Sequence, residues 1–135
     1  MLLAATVQAA DSYQPPTESV FRQTVRRFPY VADGSLQTRL RTGVPQLRHC
    51  MDDTQIRALL GPPDFGYVAF REGTHGTVPE VLVWHYVLSQ QAATQAETDS
   101  QVVTWFNTDR RLVAVSVYGI QGLPGLDANH DLKCL

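Results

Sequence analysis

The sequence predicts an α+β fold, a two-layer sandwich of N-terminal helices packed on an antiparallel meander of three to four strands. Three observations carry this. Helical periodicity is confined to the chain before Pro62, and period-two apolar alternation to the chain after Pro63. Between them, Cys50 to Asp64 reads as a short helix with both of its ends encoded. No internal repeat interrupts this order, and residues 17–119 form the expected domain, between a lead-in (1–16) and a tail (120–135).

The first residues, Met1 to Asp11, resemble the end of a secretory signal. Val7-Gln8-Ala9 fits a small-x-small cleavage site after an apolar run, without a basic stretch before it. The alternatives are a truncated or mis-set start, or a plain apolar segment. Pro15-Pro16 marks a loose lead-in. Thr17 then caps a helix expected to run to about Phe28, with Glu18 in its first turn, where the helix dipole favours an acid. Phe21, Val25 and Phe28 share a face, and Pro29 ends the helix. Asp33-Gly34 is a turn, with Ser35 the expected cap of a brief helix carrying Leu36 and Leu40. Val44 to His49 reads either as extended or as helix interrupted by Pro45.

In the central stretch, Asp52 can accept a free backbone N–H while Gln55 reaches back, as in a capping box. Ile56, Leu59 and Leu60 form one apolar face. Gly61 supplies the left-handed stop and Pro62-Pro63 forbid continuation. Tyr67–Arg71 is a predicted strand, followed by a loop through Gly73, Gly76 and Pro79. Glu80–Ser89 is the strongest strand signal, with Val81, Val83 and Val87 on one face and Leu82, Trp84, Tyr86 and Leu88 on the other. Apolar residues on both faces predict a central strand. Gln90–Ser100 is polar and reads as a mobile loop. Gln101–Asn107 and Arg111–Tyr118 make a hairpin, with Val113, Val115 and Val117 on one face, and the Gly/Pro-rich tail is held by its cysteine alone.

At 135 residues the chain can bury a core without a metal. Its 44% apolar and 18% charged content is ordinary for a globular protein. A net charge of -2 argues against a general nucleic-acid or anionic-membrane binder. Charge is mildly asymmetric: residues 1–61 carry seven Arg against five acids, and residues 62–135 four bases against eight. No later run reaches the ~18 apolar residues of a bilayer span, and no cysteine near Ala9 offers a lipid anchor. The two cysteines, Cys50 and Cys134, are expected to form a disulfide in an oxidising compartment, the alternative being two free thiols in a cytosolic protein. On the chain-entropy account, such a long closure stabilises by roughly 4–5 kcal/mol.

Leu47-Arg48-His49-Cys50-Met51, Asp52 to Ile56, Leu60-Gly61-Pro62-Pro63, Trp84-His85-Tyr86 and the Val103–Val117 hairpin together resemble the SmpA/OmlA (BamE-like) superfamily over about residues 40–118. Cys50 stands where that family usually carries glycine, and the lipobox cysteine of its lipoprotein members is absent. The repeated unit of the β-lactamase inhibitor proteins is similar too. The resemblance implies a non-catalytic, periplasmic protein-binding module, either an inhibitor or immunity-type protein or an envelope-assembly accessory, whose sheet surface grips a toxin, an enzyme or an assembly component.

Catalytic signals are sparse. His49-Cys50 beside Asp52 and Asp53 is the start of a thiolate-nucleophile reading, the alternative being a small cysteine-dependent hydrolase. His49, His75, His85 and His130 show no zinc spacing, so no metal is expected. His85 among strand valines reads as a satisfied sheet residue. Asp127-Ala128-Asn129-His130-Asp131 has the opening of a calcium loop but Leu132 where glycine is required, so it reads as a polar turn. No phosphate or nucleotide motif occurs, and no cofactor is expected. The candidate partner-binding residues are Trp84, Tyr86, Trp105 and Tyr118, aromatics that can form a hot spot on a sheet face left without helices.

Overall fold

The computed structural model describes residues 13–25, 27–91, 99–128 and 134. The proposed export segment, most of the polar loop after Gln90 and the second half of the calcium-like turn lie outside them.

Among the described residues, three α-helices and five strands make an α+β fold, as expected. Helix α1 (Glu18–Thr24) is capped by Thr17, whose hydroxyl accepts the Val20 N–H. It ends four residues earlier than its periodicity predicts. Val25 is already extended, because the chain must reach β1 (Tyr30–Val31), which pairs with the far end of the longest strand. Helix α2 (Gly34–Gly43) is capped by Asp33 rather than Ser35. It runs into a turn of 3₁₀ helix at Val44–Gln46, so the first half of that ambiguous stretch is helical, and the chain turns extended at Leu47.

Helix α3 (Asp53–Leu60) has the predicted ends. Asp52 accepts the Gln55 N–H at 2.8 Å, and the Gln55 side chain accepts the Asp52 N–H at 2.9 Å. Gly61 sits beyond it at φ 83°. Cys50, just before the helix, is also in the left-handed region, at φ 73°. A non-glycine side chain there is uncommon.

Strand β2 (Phe65–Gly73) and strand β3 (Gly76–Gln90) form a hairpin through Thr74-His75, where the sequence predicted a loop. Strands β4 (Ser100–Phe106) and β5 (Leu112–Tyr118) follow, all antiparallel. One edge of β3 meets β4, and the other is divided between β2, up to His85, and β1, from Ser89. Asp64 fills the gap: its carboxylate accepts the Val87 N–H at 2.7 Å and its own N–H donates to the His85 carbonyl at 2.9 Å. The meander is thus larger than three to four strands. A bulge at the β4–β5 pairing sets Leu112 opposite Phe106 and Ala114 opposite Trp105, so Val113 is the extra residue. Leu112, Val115 and Val117 therefore join the core, in place of the expected Val113, Val115 and Val117 row.

Leu36 and Leu40 of α2 and Ile56 and Leu60 of α3 pack on Trp84, Tyr86, Val102, Phe106 and Leu112. This is the main core. Tyr13 reaches it too, its ring edge-on to Trp84 at 5.6 Å and beneath the Arg57 guanidinium at 4.2 Å. The lead-in then crosses the outer edge of β2, where the Gly66 N–H donates to the Pro16 carbonyl at 3.0 Å. A Cβ on Gly66 would come within 2.7 Å of Pro15 and 2.8 Å of Trp84, so only glycine permits the crossing. Having crossed, the chain places α1 on the opposite face, where Phe21 packs on Phe65 and Val87. The face expected to be bare of helices thus carries α1 over one end.

The tail is held by more than its cysteine. Leu123 is buried in the main core. Val115 and Leu126 exchange two backbone hydrogen bonds, at 2.8 and 2.9 Å. Gly125 lies so close to the Val115 carbonyl that a side chain would clash. His49 donates through Nε2 to the Asp127 carbonyl at 2.8 Å. The Cys50–Cys134 disulfide completes the attachment.

Candidate functional site: the uncovered sheet face

Register determines which aromatics can meet a partner. Trp84 pairs with Thr104 and Tyr86 with Val102, and all four side chains point toward α2 and α3. Trp84 and Tyr86 are 0% exposed. The Tyr86 hydroxyl donates to the Gly61 carbonyl at 2.9 Å, tying β3 to the end of α3. Burial raises its pKa well above the ordinary phenol range, with Tyr13 and Asp64 adding to the effect. These two expected partner-binding residues are core residues. Strand parity placed them on one face, and the helices covered that face.

Trp105 and Tyr118 lie on the other side. Trp105 opposes Val83 and Ala114, and its indole N–H donates to Ser116 Oγ at 3.2 Å. Its ring is half-buried, and the adjacent Val83 is wholly buried although α2 and α3 are on the opposite face. Tyr118 is 47% exposed at the end of β5. Tyr67, 43% exposed and opposite Val83, joins them. The sequence reading placed Tyr67 in a strand, but its face could be assigned only once pairing was known.

Beside Trp105 lies an open groove of about 550 Å³, crossing the sheet from Glu80 and Val81 to Leu126, Asp127 and Ala128. The tail residues that wall it were not expected to contribute, since nothing local in their sequence marks pairing with β5.

His85 shares this face, near the end covered by α1. It stacks on Phe65 at 4.4 Å. Its Nδ1–H donates to Gln101 Oε1 at 2.8 Å, leaving Nε2 to accept the Tyr67 hydroxyl at 3.2 Å. Burial lowers the His85 pKa, against smaller opposing contributions from Gln101 and Glu18. It is a neutral, fully partnered imidazole, which matches the expectation of a satisfied sheet residue.

Cys50 Sγ is bonded to Cys134, and the His49 imidazole turns to the tail. The arrangement leaves no thiolate beside a base. Among the described residues no three potential metal ligands gather, and no helix is long and apolar enough to cross a membrane. A second apolar patch, Val68 and Phe70, lies on β2.

Comparison of the chain with models of protein families, with curated proteins and with solved structures finds no match.

Proposed function

We propose that this chain is a non-enzymatic protein-binding module of the bacterial envelope, acting through the sheet face that bears Trp105, Tyr118 and Tyr67. The observation that carries the reading is the placement of these aromatics, half-buried or exposed, on the face opposite α2 and α3. Large amphipathic rings on a rigid sheet supply contact area at little entropic cost. The disulfide supports an oxidising compartment and hence the periplasmic location. The BamE-like resemblance gains support from Cys50: its left-handed backbone suits the glycine that the family carries there. An inhibitor or immunity-type role and an envelope-assembly role both fit a surface of this kind. The competing hydrolase reading is weakened, because its nucleophile is occupied by Cys134.

The test is affinity capture from an envelope extract of the native host, with the wild-type protein and Trp105→Ala as parallel baits. A partner held stoichiometrically by the wild type and lost by the variant supports the reading. Identical recovery by both baits removes Trp105 from the interface and the reading with it.

A further inference from the structure

Resting on the protein-binding reading, the geometry points to the class of partner: a loop presenting an apolar side chain between two basic residues. The groove beside Trp105 has an apolar floor of Val81, Trp105 and Ala114, and the tail closes it at Leu126, whose own side chain turns to the core with Val115. A carboxylate stands at each end, Glu80 on β3 and Asp127 on the tail. Register sets Asp127 level with Val83, so Glu80 lies three interstrand steps across and three residues along from it, about 17 Å away at ~4.8 Å per step and ~3.3 Å per residue. No lysine or arginine is among the described residues lining the groove, and among the described residues neither carboxylate forms an ion pair. The floor calls for an apolar anchor. The two unneutralised acids attract cationic neighbours and repel anionic ones, which gives an interface its orientation and selectivity. Asp127 is held in position for this: its carbonyl accepts the His49 N–H, and the preceding Leu126 pairs with Val115. An extended peptide spans the same distance in about five residues, so the two basic residues would flank a short apolar segment.

The experiment titrates the isotope-labelled full chain, followed by backbone and indole amide NMR, with three cyclic peptides. Each carries a central Phe-Leu pair, flanked by two lysines, two glutamines or two glutamates. We expect shifts at Val81, the Trp105 indole, Ser116 and Leu126. The lysine peptide should bind roughly 3- to 10-fold tighter than the glutamine peptide at low salt, the range two exposed ion pairs supply. The glutamate peptide should bind most weakly. Screening should compress the preference below about 2-fold at 0.5 M salt. The double variant Glu80→Gln/Asp127→Asn should abolish the preference while retaining the glutamine peptide. Equal binding of all three peptides in the groove overturns the charge assignment and leaves the docking face standing. Shifts elsewhere, or none, overturn both. Groove shifts that follow protein concentration alone assign the face to a second copy of the chain and overturn the partner class.

Discussion

The indole N–H of Trp105 reaches across to Ser116 Oγ at 3.2 Å, laying the ring over the uncovered side of the sheet. Trp84, one residue after Val83, the cross-strand partner of Trp105, has its own ring on the other side, wholly buried. The two tryptophans therefore answer to different measurements. Trp105→Phe should keep the thermal midpoint within a few degrees while weakening partner capture, since it retains the ring but loses the N–H and part of the contact area. A large fall in that midpoint would assign Trp105 to stability rather than recognition.

Trp84→Ala should cost about 3–5 kcal/mol in denaturant unfolding, through the cavity left among Tyr13, Phe106 and α3. Tyr86→Phe should cost about 1 kcal/mol, the net value of its bond to the Gly61 carbonyl. A Trp84→Ala protein that unfolds like the wild type would contradict the core placed here.

Cys50 allows backbone strain and cross-link to be separated. Cys50→Gly and Cys50→Ala both lose the bridge, yet only glycine is at ease at φ 73°. The glycine variant should be the more stable of the two by about 1–2 kcal/mol. Urea unfolding of both variants checks this, and equal midpoints would mean that residue 50 leaves the left-handed region once the bridge is gone.

Reduction of the disulfide should loosen the tail before it loosens the sheet. Amide exchange at Leu126, which bonds the Val115 carbonyl, should rise on adding a dithiol, while exchange at the central β3 amides stays slow. Because Leu126 and Asp127 wall the groove, partner capture should fall in parallel. Unchanged exchange at Leu126 would show that Leu123 and the backbone pairing suffice to hold the tail.

His85 makes stability depend on pH in a defined direction. Its folded pKa lies below the ordinary 6.5 because burial disfavours the imidazolium. Below that pH the unfolded chain binds a proton that the folded chain resists, so stability falls as pH drops from 6.5 toward the folded pKa. Asp64 acts with the opposite sign at lower pH. Burial raises its folded pKa, so the folded state binds the extra proton and gains stability as pH falls through that value. Thermal midpoints between pH 7.5 and 5.5 should decline in the wild type and flatten in His85→Gln. An equal decline in both would assign the dependence elsewhere.

Local chemistry made much of the molecule legible. Asp52, Gln55, Gly61 and Pro62 fix α3 because caps and stops act within one turn. Alternation marked β3, β4 and β5 as strands because pleating imposes period two on any half-buried segment. The Cys50–Cys134 bridge followed from having only two cysteines. For the surface, the sequence could say only that Trp84 and Tyr86 share one face and that Trp105 and Tyr118 are aromatics on strands.

Tertiary structure decided the rest. β3 is apolar on both faces, so alternation cannot say which face α2 and α3 will cover, and their docking buried Trp84 and Tyr86 while leaving Trp105 and Tyr118 outside. Two residues are too few to show a period, so β1 exists only because Tyr30 and Val31 find Gln90 and Ser89. Val113 leaves its expected row because the bulge is a property of the β4–β5 pairing, not of β5 alone. The groove joins residues 80, 105 and 126, distant along the chain and brought together only by strand register. Caps and periods are short-range and are determined by neighbouring residues; which face is buried, and what lies beside it, depends on contacts between segments far apart in sequence.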